Sequence, residues 1–226
     1  EKKGLRIGAL TLHRAIEKSP IIQKHFRVLS EMEGNLATIQ TRNWGTIGGN
    51  LCHGDPAGDP APVFIALKAK LKLASLGGER IIDMEGFSKD YLEVALEPDE
   101  MLAEIQVPTP LPRTGTGYEK LMVMKGDMGI IGAAVSITLS GRNSVCQDAR
   151  IALSNYASIP LRAEEAEKVL IGKTINEGLL TKAGEIASRE ADPPPDVHGS
   201  AEYRREMVKV FVKRVAQIAL ERAKES

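Results

Sequence analysis

The chain has 226 residues, and its 30 basic and 30 acidic side chains give a formal net charge of zero. Hydrophobic residues make up 42% and charged residues 27%, which is typical of a globular protein with a core rather than of a disordered chain. With a net charge of zero, the chain has no overall positive field to attract phosphates. With only 4% aromatic residues, it has no surface on which bases could stack. The composition therefore excludes nucleic acid as the expected partner.

The cysteines and the apolar runs predict the compartment. Cys52 and Cys146 are too few for a disulfide framework and form no C-x-x-C pair. No apolar run approaches the roughly 18 residues of a membrane-spanning helix. We therefore expect a cytoplasmic protein without a membrane span. The amino end has no signal-peptide core and no initiating Met, so we expect the natural chain to start upstream.

Apolar periodicity predicts a mixture of strands and helices in the first half. Pro20 suits the first turn of a helix, and Gly77-Gly78 suits a hairpin turn. The predicted elements, in order, are a strand over 5–10, helices over 11–19 (capped by Thr11) and 20–32, a glycine-rich loop over 43–62, an apolar run over 63–67, and strands over 70–75, 80–82 and 101–107.

A change of composition follows residue 107. Three prolines between 108 and 112, then Gly115 and Gly117, predict a stiff and then flexible boundary between domains 1–112 and 113–226. The second half predicts strands over 130–139 and 145–155, then helices over 163–170, 176–190 and 200–224. The fold class predicted is α+β, ending in a small antiparallel sheet with a helical bundle.

The densest glycine cluster is the most informative passage of the sequence. Five glycines lie between positions 45 and 58. Glycine lets the backbone approach a ligand closely, and successive free N–H groups can form an anion nest. Thr46 and Asn50 add side-chain donors there. The spacing is neither that of a P-loop nor that of a Rossmann motif, and a purely structural turn explains the glycines equally well.

Three other interpretations remain open from the residues alone. His53, Asp55 and Asp59 could hold a metal ion for a hydrolase, although their spacing fits no known motif. Cys52 beside His53 could form a nucleophilic pair, but adjacent side chains generally point apart. The basic face of the last helix could make the chain a non-catalytic interaction module. The other histidines are isolated, and structural or surface roles are expected for them: His13, His25 and His198.

Thr46-Ile47-Gly48-Gly49-Asn50, with Asp59 nine residues later, resembles the FAD-carrying medium subunits of molybdenum hydroxylases, such as aerobic carbon monoxide dehydrogenase and xanthine dehydrogenase. The resemblance extends in order along nearly the whole chain. It includes the stretches 5–11, 97–102, 118–120, 148–153 and 199–205. It implies the carboxyl-side part of a PCMH-type FAD-binding domain, followed by a C-terminal domain of the carbon monoxide dehydrogenase flavoprotein type.

The resemblance also implies roles for single residues. The backbone of 46–50, with Gly48 and Gly49, would contact the FAD pyrophosphate, and Ile47 would approach the flavin ring. Asn50 would donate to the phosphate or ribityl region. Asp59 would bind ribityl or adenosine hydroxyls, Leu102 would pack on the adenine or flavin, and Lys120 would approach the polar edge of the flavin. Without the resemblance, Asp59 is a helix cap, Leu102 a buried strand residue and Lys120 an exposed lysine.

The function implied is electron transfer in an oxidoreductase complex. Electrons would pass from a molybdopterin cofactor on a large subunit, through 2Fe-2S clusters on a small subunit, to FAD on this chain, and then to NAD, quinone or another acceptor. Two cysteines cannot ligate a cluster, and no catalytic or metal-ligating residue is expected here. A second glycine loop typical of the family, Ala-Gly-Gly-Gln-Ser, is not in this sequence. We therefore expect the chain alone to be inactive and to bind FAD weakly or not at all.

Overall fold

A computed structural model describes residues 4–226 of the chain. Its strands are β1 (Leu5–Gly8), β2 (Lys70–Ser75), β3 (Gly78–Asp83), β4 (Ser88–Asp90), β5 (Glu93–Val94), β6 (Met101–Val107), β7 (Thr114–Leu121), β8 (Ile131–Ser140), β9 (Val145–Ser154) and β10 (Leu161–Arg162). Its α-helices are α1 (His13–Lys18), α2 (Pro20–His25), α3 (Arg27–Asn35), α4 (Ile39–Trp44), α5 (Ile47–His53), α6 (Pro60–Ala66), α7 (Glu164–Leu170), α8 (Glu177–Glu190) and α9 (Ala201–Glu225). The predicted α+β class is confirmed.

The first half builds an antiparallel sheet in the order β1-β6-β2-β3. Strand β2 shows why, because Leu71 and Leu73 are fully buried on one face while Lys70 points to solvent. Helices α1 to α6 supply many of the other apolar side chains of this core, among them Leu29, Met32 and Phe64. The predicted hairpin at Gly77-Gly78 is confirmed, because β2 pairs with β3.

The second half builds an antiparallel sheet in the order β10-β9-β8-β7. Residues 131–139 of β8 are all buried, because α9 packs on one face of this sheet and α6 on the other. A strand covered on both faces needs a continuous apolar run, which explains why β8 does not alternate. Helices α7, α8 and α9 close a second core on the α9 side.

Two glycines of β7 let α9 lie directly on the strand. A Cβ added at Gly115 would lie 2.0 Å from the carbonyl oxygen of Ala219, and one at Gly117 would lie 3.2 Å from Val215. The prediction that these glycines form a flexible boundary is therefore wrong, because they sit inside a strand that a helix approaches closely. Arg222 of α9 binds the carboxylate of Glu31 on α3 at 2.8 Å and so ties the two halves together.

The prediction of a glycine-rich loop over 43–62 is also wrong. Helices α4, α5 and α6 occupy most of it. Thr38 and Thr46 cap α4 and α5 by accepting the N–H groups of Thr41 and Gly49, and Pro60 starts α6. Short helices rich in glycine and proline carry little periodic signal, so the sequence pattern resembles a loop.

Two helix predictions change in detail. Helix α1 begins at His13 with Leu12 at its N-cap, so Thr11 is not the cap. The helix predicted over 20–32 divides at Phe26, whose φ of −138° and ψ of 47° interrupt the helical path between α2 and α3. The apolar run at 63–67 belongs largely to helix α6. Strand β7 and the short strands β4, β5 and β10 have no counterpart among the predictions.

Tyr118, Ala134 and Ala152 of the second half join the first core, so that core crosses the middle of the chain. The division into domains 1–112 and 113–226 stays a prediction. None of the helices within residues 4–226 combines the length and the apolar character that crossing a membrane requires.

We expect Gly115→Ala to lower the free energy of unfolding by about 1 to 3 kcal/mol, because its methyl group would collide with the backbone of α9. Gly34→Ala is the matched control, since a Cβ there meets nothing within 4 Å and alanine favours the helix. Urea unfolding of both variants measures the difference. Equal stabilities would contradict the close approach of α9 to β7.

Candidate functional site

A cavity of about 520 Å³ opens where α1, the 45–59 segment and the end of β7 meet. This volume lies within the roughly 300–1,000 Å³ range of small-molecule sites. The polar lining includes one histidine against the glycine segment, a lysine opposite it, and several carboxylates and hydroxyls. The lining residues that matter below are His13, Thr46, Gly49, Asn50, Asp59, Lys120 and Asp127.

A buried ion pair between Asp59 and Lys120 forms one wall of this cavity. Lys120 Nζ donates to Asp59 Oδ2 at 2.7 Å and to the carbonyl oxygen of Asp127 at 2.8 Å. The Tyr118 hydroxyl donates to Asp59 Oδ1 at 2.6 Å. The Lys120 side chain is only 2% exposed, so the interpretation of Lys120 as an exposed lysine is wrong. Asp59 precedes α6 but accepts no helix N–H, so it is not a side-chain cap either.

Burial sets the protonation of these groups. It raises the pKa of the Asp59 carboxyl, and the charge and hydrogen bond of Lys120 oppose that effect. Burial, followed by the negative charge of Asp59, raises the pKa of Tyr118 well above its usual value. Tyr118 therefore stays a neutral hydroxyl that donates to Asp59. Of the three N–H donors of Lys120, two are used within the protein.

The glycine segment presents side chains rather than free backbone. The N–H of Ile47 donates to Thr11 O, and that of Gly48 donates to Ala9 O. The N–H of Gly49 donates to Thr46 Oγ1, and that of Asn50 donates to Thr46 O. These four N–H groups therefore already have partners within the chain, and contact of the 46–50 backbone with the FAD pyrophosphate stays a prediction.

The predicted site residues divide into two sets. Thr46, Gly49, Asn50, Asp59 and Lys120 meet at the cavity, although Lys120 is more than 60 residues from the others.

The remaining three lie in the core and not along the cavity. Ile47 and Leu102 are buried in the first core, and a Cβ added at Gly48 would lie 2.6 Å from the Cβ of Ala9. Gly48 therefore allows α5 to pack on the residues after β1, and Leu102 fits its simpler interpretation as a buried strand residue. Roles for Ile47, Gly48 and Leu102 toward FAD stay predictions.

The structure adds a histidine that sequence reasoning took for isolated. His13 Nδ1 lies 3.1 and 2.9 Å from the two carboxylate oxygens of Glu33, which is fully buried. The two residues lie on α1 and α3, 20 positions apart, and no motif joins them. Only the packing of these helices brings them together at the cavity wall.

The interpretation of His53, Asp55 and Asp59 as the metal site of a hydrolase is weakened, because Asp59 is not free to act as a ligand. Both carboxylate oxygens of Asp59 are engaged by Tyr118 and Lys120, and His53 Nε2 lies 4.0 Å from Asp55 Oδ2. Within residues 4–226, no group of three histidines, cysteines or carboxylates is arranged to hold a metal ion.

Comparison with known proteins gives the class of the chain. Residues 1–110 match the family described as the FAD binding domain in molybdopterin dehydrogenase, and residues 116–219 match the CO dehydrogenase flavoprotein C-terminal domain. These matches define an FAD-binding oxidoreductase subunit.

Two relatives and one solved structure agree along almost the whole chain. The alpha subunit of the 6-hydroxypseudooxynicotine dehydrogenase complex from Paenarthrobacter nicotinovorans is 36% identical over 97% of this chain and 74% of its own. The carbon monoxide dehydrogenase medium chain from Afipia carboxidovorans is 37% identical over 96% of this chain and 75% of its own. The structure of carbon monoxide dehydrogenase from Hydrogenophaga pseudoflava superposes with a TM-score of 0.94 at 36% identity, over 98% of this chain and 77% of that one. The chain belongs to the family of FAD-binding medium subunits of molybdenum hydroxylases.

We expect Asp59→Asn and Lys120→Met each to lower the free energy of unfolding by about 3 to 5 kcal/mol, because each leaves one buried charge without its partner. The double variant leaves no buried charge, so its loss should be clearly smaller than the sum of the two. Urea unfolding of the three variants measures the coupling. Additive losses would show that the two charges do not stabilise each other.

Proposed function

We propose that the cavity lined by Thr46, Gly49, Asn50, Asp59 and Lys120 holds FAD in this flavoprotein subunit. The observation that carries the proposal is the convergence of these residues, from both halves of the chain, on one cavity of suitable size. Apolar residues of the same lining, Leu36, Ala37 and Met128, can cover an aromatic ring system. The lining therefore fits a ligand with one apolar part and one polar part.

The donors available to the cofactor are side chains. Asn50 lines the cavity, and its amide makes no hydrogen bond among the residues that the structure describes. Thr46 Oγ1 accepts from Gly49, which leaves its own hydroxyl proton free to donate. Asn50 and Thr46 would hold the phosphate or ribityl part, and the third N–H of Lys120 would face the flavin.

FAD supplies the redox chemistry when it is bound, and this chain binds, orients and tunes it. Lys120 places a positive charge at the cavity wall, which favours the negative charge of a reduced flavin. Asp59 holds Lys120 in place and opposes part of that charge. No side chain of this chain needs to act as a catalytic acid or base in electron transfer.

In the complete enzyme, we propose that this chain works with a large molybdopterin subunit and a small subunit that carries 2Fe-2S clusters. Electrons from those clusters would reduce FAD, which passes them to an external acceptor such as NAD or quinone. The unbridged cysteines fit a cytoplasmic setting. In support, relatives such as the Afipia carboxidovorans protein are named as the medium chains of dehydrogenases.

We expect Asn50→Ala to weaken FAD binding about threefold to tenfold, which corresponds to the loss of one neutral hydrogen bond. Quenching of flavin fluorescence, titrated up to millimolar FAD, measures the affinity. Asn143→Ala, in the exposed turn between β8 and β9, is the matched control and should leave binding unchanged. An Asn50→Ala variant that binds FAD as tightly as the wild-type chain would contradict the proposed site.

We expect Lys120→Gln and Asp59→Asn to move the flavin midpoint potential in opposite directions. Loss of the lysine charge disfavours the reduced flavin and lowers the potential, whereas loss of the carboxylate charge raises it. A shift of about 30 mV either way corresponds to a tenfold change for a two-electron couple. Spectroelectrochemical titration of the FAD-loaded variants, with circular dichroism to verify folding, measures both shifts. Shifts of the same sign would show that the pair acts only on structure.

A further inference from the structure

A buried acid–base pair outside the predicted site reaches the same cavity. Glu33 is fully buried, and its hydrogen-bond partner among the described side chains is His13 Nδ1. His13 is 2% exposed and lines the cavity, with its ring against Gly45. Its Nε2 atom makes no hydrogen bond within the described residues. The pair therefore presents one unused nitrogen to the ligand.

The number of protons on the His13–Glu33 pair decides whether His13 Nε2 donates or accepts a hydrogen bond. When the pair is neutral overall, Glu33 and Nδ1 share one proton, and Nε2 carries an N–H in either arrangement. When that proton is lost, Glu33 keeps its charge and accepts from Nδ1–H, so Nε2 presents a lone pair. Burial raises the pKa of Glu33, which favours the neutral pair.

The surrounding charges are already paired with one another. On the neighbouring helices, Arg42 of α4 donates to Glu17 of α1 at 3.0 Å, and Arg14 of α1 binds the same carboxylate. Asp59 is held by Lys120 of β7. Glu31, the other carboxylate on α3, binds Arg27 and Arg222.

Three further charged or titratable groups, His53, Asp55 and Asp127, line the same cavity, and the His53 side chain is 66% exposed. Lys120, a buried cation of the lining, is bound to Asp59. Besides the third N–H of Lys120, a ligand with negative charge would need donors from neutral groups or from the His13–Glu33 pair.

We propose that His13 Nε2 donates a hydrogen bond to the diphosphate of FAD, and that Glu33 positions and protonates the ring for this purpose. The proposal rests on the proposed function. Its support is that His13 lines the cavity with an Nε2 atom that has no partner among the described residues, beside the Thr46 end that the proposed function assigns to the phosphate. The backbone N–H of His13 donates to the carbonyl oxygen of Gly45 at 3.1 Å, and this bond places the His13 ring beside the Thr46 end of the cavity.

Two substitutions separate the two ring nitrogens. In His13→Asn, the amide lies near the position of Nδ1, so it can still donate to Glu33 but has no atom at Nε2. In His13→Gln, the amide reaches the Nε2 position and can restore the cavity donor. The test measures the affinity of each variant for FAD and for riboflavin, which has the flavin ring and no phosphate, by isothermal titration calorimetry.

We expect His13→Asn to weaken FAD binding about tenfold or more and to change riboflavin binding less than about twofold. His13→Gln should recover most of the FAD affinity. If the His13→Asn variant binds FAD as tightly as the wild-type chain does, this inference alone is overturned. Equal losses for FAD and riboflavin would also overturn it, because a structural defect affects both. The proposed function is overturned as well if the Asn50→Ala variant, measured alongside, binds FAD as tightly as the wild-type chain.

Discussion

The buried ion pair between Asp59 and Lys120 is the interaction on which the site depends. Asp59 precedes α6 in the first half, and Lys120 lies on β7 in the second, so this hydrogen bond joins the two halves. The same ammonium group binds the carbonyl of Asp127 and thereby holds a loop that also lines the cavity. A buried pair stabilises a fold only while both partners remain. The position of Lys120, the charge at the cavity wall and the shape of the cavity therefore depend on a single contact.

The glycines have a different purpose from the one that their clustering suggests. Gly48 brings α5 against Ala9, and Gly115 brings α9 against β7, so both remove a side chain where two backbones meet. The N–H groups of the 47–50 turn complete the helix cap and the contacts to residues 9 and 11. The side chains of Thr46, Asn50 and His13 then supply unused hydrogen-bonding atoms at the cavity that we propose for the cofactor.

The sequence predicts the strands and the family well, because alternation over 70–75 and the 46–50 motif are local signals. It fails over 43–62, since α6 is buried on every side and has no polar face to reveal its period. Thr46 and Asn50 could be named as donors from the glycine cluster, whereas a cofactor role for Asp59 and Lys120 could be named only through the resemblance. The His13–Glu33 pair could not be found, because its two members lie on separate helices that meet through tertiary packing. Polar pairs of this kind have no spacing rule.

The central claim is that the side chains of Thr46, Asn50 and His13 hold the diphosphate of FAD while Lys120 stays bonded to Asp59. A crystal structure of the chain with FAD tests it most directly. The account predicts phosphate oxygens within hydrogen-bond distance of Thr46, Asn50 and His13, with Lys120 still bonded to Asp59. FAD bound elsewhere, for example in the groove of Asn176, Lys213 and Gln217 between α8 and α9, would contradict it. So would a Lys120 side chain that leaves Asp59 to bind the phosphate.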